Sequence, residues 1–82
     1  MNSFMNTLYN AEGSVVTGYK NGVPFLGYIT KTRVKYGSDI QVTIAYDEDS
    51  MKETGYGGDI IDGSVLLAGG NATYRNLHVY FE

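Results

Sequence analysis

Between residues 47 and 62 the chain places Asp47, Glu48, Asp49, Glu53, Asp59 and Asp62, with Lys52 as the single base among them. Three consecutive carboxylates at 47–49 repel one another, and that repulsion offers no benefit to folding. It is relieved by a cationic partner, so these acids are candidates to stand in for the phosphates of a nucleic acid. The plain alternative is a loop kept soluble and extended by its own charge. Asp47, Asp49 and Glu53 have part of a calcium-loop spacing. The required glycine and the position of the final glutamate do not match, so a dedicated metal site is not expected. A second set has the opposite sign. Lys31, Arg33 and Lys35 recur at period two, Tyr19, Tyr28 and Tyr36 lie nearby, and no acid falls between Lys20 and Lys35. Cations that meet phosphates and rings that stack on bases would suit nucleic acid or a nucleotide. The alternative here is a solvated strand face whose charges discourage edge-to-edge pairing.

Catalytic groupings are nearly absent. His78 is the only histidine, and no serine stands in a G-x-S-x-G elbow. The "GYGGD" stretch (55–59) lacks the Lys-Ser/Thr of a phosphate-binding loop and opens no helical pattern. With no cysteine there is neither a thiolate metal site nor a disulfide framework. No enzyme, catalytic residue, metal or cofactor is expected. Eighty-two residues make one domain, 1–82, and a chain of this size buries only about 60–65% of its unfolded surface. Association of copies into a homo-oligomer, or very regular packing, is the expected supplement to so small a core. The N-terminal MNSFMNTLYN has neither a basic region nor a long apolar run, and no stretch is long enough to span a membrane as a helix. A soluble cytoplasmic protein is expected.

The elements that must carry these residues read as β structure. Eight Tyr and eleven Gly against one Pro suit twisted strands and tight turns. Ser3 can cap a short N-terminal helix carrying Phe4, Met5, Leu8 and Tyr9, which Gly13 would stop. Residues 14–20 form a first strand, Asn21-Gly22 a type I′ hairpin turn, and 23–34 a long second strand. Pro24 places the start of that strand at a sheet edge or bulge. On it, period two sets Lys31, Arg33 and Lys35 on one face and Tyr28, Thr30, Thr32 and Val34 on the other. In the third strand Ile40, Val42, Ile44 and Tyr46 alternate with Gln41, Thr43 and Ala45. Residues 50–63 read as irregular, 64–68 as a fourth strand, 69–71 as a turn and 73–81 as a fifth strand. The expected fold is mostly β (α+β): a single twisted antiparallel sheet or small barrel of about five strands, with one short N-terminal helix.

"SDIQVTIAYDE" (38–48) resembles the central strand of the phage uracil-DNA glycosylase inhibitors, which ends in the same Ala-Tyr-Asp-Glu. "VLLAGGNATYR" (65–75) and "LHVYF" (77–81) are similar to that family's next two strands. The resemblance implies a small acidic protein that binds its enzyme one to one and mimics DNA phosphates with carboxylates. Residues 17–35 depart from the family pattern, with four bases and no acid. On this resemblance the chain is expected to inhibit a host DNA-processing or defence enzyme by stoichiometric binding, with Asp47, Glu48, Asp49, Asp59 and Asp62 facing that partner. The alternatives are a β-barrel that binds nucleic acid or a nucleotide through Lys31, Arg33, Lys35, Tyr28 and Tyr36, and a structural virion accessory.

Overall fold

The computed structural model describes residues 11–34, 40–63, 71–74 and 76–81. Six strands form one antiparallel sheet: β1 (Val15–Lys20), β2 (Val23–Val34), β3 (Ile40–Tyr46), β4 (Gly58–Asp62), β5 (Asn71–Thr73) and β6 (Leu77–Phe81). Their spatial order is β4-β3-β2-β1-β6-β5, and the sheet curls into a half-barrel. A single described helix, α1 (Glu48–Thr54), follows β3. Among the described residues no helix is long and apolar enough to cross a membrane.

Turn chemistry fixes the first hairpin. Asn21 (φ 52°) and Gly22 (φ 80°) both have positive φ, as the type I′ turn requires, and the flanking strands register from Lys20 opposite Val23 to Val15 opposite Tyr28. β1 and β6 approach so closely that a Cβ on Gly18 would lie 1.8 Å from the His78 carbonyl oxygen, so only glycine fits there. The concave face is mainly apolar, with Val16, Ile29, Val42, Ile44 and Val79 the most deeply buried residues. Pro24 sits opposite Tyr19, in the part of β2 that β3 does not reach, since that pairing starts at Gly27 opposite Tyr46. There α1 takes the place of a strand: the Leu26 N–H donates to the Ser50 hydroxyl (2.8 Å), and the Asp47 N–H donates to the Leu26 carbonyl (2.9 Å).

Several expectations change. Residues 50–63 are not irregular, because they contain most of α1 and all of β4. The expected N-terminal helix and the strand at 64–68 fall largely or wholly outside the described residues. The span 73–81 is broken in two. Tyr74 and Leu77 exchange backbone hydrogen bonds (2.7 and 3.4 Å) and reverse the chain, and β5 begins already at Asn71. The described residues thus give one antiparallel sheet of six strands, in keeping with the expected sheet of about five.

One irregularity matters for the exposed face. The β2–β3 register pairs Ile29 with Ile44 but Lys31 with Thr43, so Thr30 is the extra residue of a β-bulge. Inward-facing residues are odd-numbered before it (Phe25, Gly27, Ile29) and even-numbered after it (Thr32). Glu12 stabilises the shifted segment, its Oε2 accepting from the Thr32 N–H (2.8 Å) and hydroxyl (3.3 Å). The consequence corrects the period-two expectation. Tyr28 shares the outer face with Lys31 and Arg33 instead of opposing them.

Candidate functional site

Two constellations of polar and aromatic side chains result, one inside the curl and one outside it. Inside, β1 turns Val16, Gly18 and Lys20 toward the concave face. Lys20 reaches across the half-barrel to Asp59 on β4, with Nζ to Oδ1 at 2.9 Å and side chains only 7% and 19% exposed. The Tyr46 hydroxyl donates to the other Asp59 oxygen. Phe25 stacks on Tyr46, ring centroids 4.3 Å apart, and the Lys20 ammonium lies 4.6 Å from the centre of the Tyr56 ring. Burial first, then the hydrogen bond to Asp59 and its negative charge, push the Tyr46 phenol above its usual pKa of 10.0. Every partner in this cluster is satisfied from within, and its chemistry is that of a plug.

This placement corrects part of the charge reading. Asp59 does not project free negative charge toward a partner, because Lys20 neutralises it inside. Lys20 likewise leaves the basic stretch. Asp47 is the N-cap of α1: its Oδ1 accepts from the Ser50 N–H at 2.8 Å, and that bond holds its carboxyl below the ordinary range. Glu48 and Asp49 fill the first helical turn, where negative charge favours the exposed N–H groups, and Lys52 lies in the last turn. The three acids at 47–49 therefore assist folding, contrary to the expectation that they give it no benefit. Glu48 also meets Lys52 at 3.7 Å in a pair exposed on both sides. Asp62 stands at the outer edge of β4 opposite Gln41, and its backbone N–H donates to the Tyr74 hydroxyl (3.0 Å).

On the convex face, strand register lays side chains in rows. Arg33 lies opposite Gln41, and Lys31 opposite Thr43. Tyr28 lies between Ala45 and Val15. Thr17 lies between Leu26 and Tyr80, and Tyr19 between Pro24 and His78. Tyr19, Tyr28 and Tyr80 keep 41–47% of their surface exposed. The His78 and Tyr80 rings stack in parallel, 5.6 Å apart, and His78 Nε2 is 2.7 Å from the Thr73 hydroxyl. From Pro24 to Arg33, at about 3.3 Å per residue, this face runs for roughly 25–30 Å along β2. Lys35 and Tyr36 lie outside the described residues. Tyr19 stood beside the basic stretch in the sequence, but Tyr80 and His78 carried no local signal, because only the β1–β6 pairing brings them to it.

Among the described residues no group of three His, Cys, Asp or Glu could hold a metal ion. No family model, curated protein or solved structure matches this chain.

Proposed function

We propose that the protein acts by binding, and that its ligand is single-stranded nucleic acid laid along the convex face of the sheet. The observation that carries this reading is the β2 bulge, which puts Tyr28 on the same face as Lys31 and Arg33, the face that also carries Tyr19 and Tyr80. Two cations at one end can meet phosphates, and exposed rings along the rest offer stacking surfaces that every base can use. The net charge of −3 opposes nonspecific attraction, so binding depends on this local patch. Anisotropy of a labelled single strand at low salt tests the reading. Replacing both Lys31 and Arg33 by Ala should weaken binding and lower the salt slope by about 1.4, at about 0.7 for each phosphate that is no longer neutralised. Absence of binding to any oligonucleotide at low salt would sink it.

A second reading keeps the expected inhibitor role. Asp49 and Glu53 stand at i and i+4 of α1, both exposed, so two like charges share one helix face. That is the carboxylate spacing a DNA mimic could present to a cationic enzyme site. The support is now narrower, since Asp47 caps the helix and Asp59 is paired inside. Inhibition of a uracil-DNA glycosylase that disappears in the Asp49→Asn/Glu53→Gln variant would favour this role. Undiminished glycosylase activity at excess protein would remove it.

A further inference from the structure

The proposed binding face ends, away from Lys31 and Arg33, in two clefts. The first, about 330 Å³, lies between Tyr19 and Tyr80, with Thr17 and Pro24 beside them. The second, about 420 Å³, is lined by Tyr19, Asn21, Thr73, Asn76 and His78 among others. Tyr19 is common to both, with Thr17 on one side of it along β1 and Asn21 on the other. Both volumes fall at the low end of the about 300–1,000 Å³ typical of small-ligand sites.

From this geometry we infer that the clefts receive two successive unpaired bases, one on each side of Tyr19. Among the described residues, the lining of both clefts is aromatic, amide and hydroxyl rather than charged. A neutral planar ring fits their chemistry. The first cleft offers two rings to stack against and little to read. The second offers the side-chain amides of Asn21 and Asn76, donors and acceptors suited to the edge of a base, beside the Thr73 hydroxyl and His78 Nε2, which are already bonded to each other. Lys31 and Arg33 are then left to hold the backbone as it runs back along β2. The division of labour is that of phosphate contacts that position and base contacts that specify. It also demands a single strand, because a duplex keeps its bases stacked and paired.

The inference rests on the nucleic-acid reading of this face, and one experiment separates the two. Anisotropy is measured for a labelled oligothymidylate, the same oligomer with abasic sites, and a duplex, against the full chain and its variants. Tyr19→Phe should bind like wild type, since stacking survives. Tyr19→Ala should weaken binding by about 5- to 150-fold, the span that stacking of one base carries, with an unchanged salt slope. The abasic oligomer should show a comparable loss on wild type and little further loss on Tyr19→Ala, and the duplex should bind more weakly than the single strand. Tyr80→Ala opens only the first cleft and should cost less. It also serves as the test variant if Tyr19→Ala lowers the melting midpoint. If the Lys31/Arg33 double variant loses binding while Tyr19→Ala and the abasic oligomer behave as wild type, the face binds nucleic acid and the clefts do not take bases. If wild type binds no oligomer, the face reading itself has failed.

Discussion

Lys20 and Tyr19 are neighbours on β1, and each faces the way its type would not suggest. The lysine is 6% exposed beneath the sheet, while the tyrosine is 47% exposed above it. Inside, charge is tolerated because it is paired. Lys20 has Asp59, Asp59 also has Tyr46, and Tyr56 covers the ammonium. Outside, Tyr19, Tyr28 and Tyr80 keep large apolar rings in water, and Tyr28 shares its face with two cations. The polar cluster is closed to ligands and the aromatic surface is open to them. In this protein the buried charge belongs to the architecture, and the exposed rings form the surface on which binding is proposed.

The largest effect expected from breaking this contrast comes from Asp59→Asn. It leaves the Lys20 charge in place without its counter-ion, which costs about 3–5 kcal/mol. Urea denaturation should show a large fall in midpoint. Replacing the pair together, Lys20→Met with Asp59→Leu, should recover most of the loss, because an apolar pair needs no partner. A loss under about 1 kcal/mol in Asp59→Asn would mean that Lys20 swings out to water, and the plug would not be structural.

Tyr46→Phe sharpens the same point by removing only a donor. Asp59 keeps Lys20 but loses a hydrogen bond to a charged group, so the expected cost is about 1.5–3 kcal/mol at neutral pH. The pH dependence has a defined sign. The folded phenol holds its proton more tightly than an unfolded one, whose pKa is about 10.0. The stability Tyr46 contributes is thus complete below pH 10 and is lost as the pH rises beyond it. The gap between wild type and Tyr46→Phe should narrow above pH 10, by up to about 1.36 kcal/mol per pH unit. A gap that stays constant through that range would show that Tyr46 ionises no differently when folded.

What the sequence disclosed follows from how local each determinant is. Asn21-Gly22 acts through its own backbone angles, and the alternation of Ile40 to Tyr46 needs only a buried face, so the hairpin and β3 were legible. β4 was not, because "GDIID" turns Asp59 inward and Ile60, 62% exposed, outward, which erases the apolar alternation. α1 hid for a related reason. Its docked side is the buried Ser50 hydroxyl rather than an apolar stripe, and Met51 is exposed. The signals that could have found it were the flanking caps, Asp47 before and Gly55 after. The face of Tyr28 depended on a bulge that Glu12 supports from twenty residues away, and no period count reveals such a contact.

Asp47 lies between the two regimes, a carboxylate at the surface that still serves folding, and its removal has the smallest effect of the three. Asp47→Ala deletes the acceptor for the Ser50 N–H and loosens the start of α1, which also holds Ser50 against Leu26. Asp47→Asn keeps a capping oxygen and loses only the charge, and asparagine caps helices about as well as aspartate. If the cap is what matters, Asp47→Ala should lower the melting midpoint at neutral pH and Asp47→Asn should stay close to wild type. If charge at the helix start dominates, the two variants should fall together. The pH profile gives the same answer independently. The folded carboxyl is held below its usual pKa of 3.8, so the stability it adds is present above that value and fades as the pH drops through the depressed one. Wild type should therefore converge on Asp47→Ala in acid. Equal midpoints for all three proteins at neutral pH would return Asp47, Glu48 and Asp49 to the role of a charged surface held for a partner.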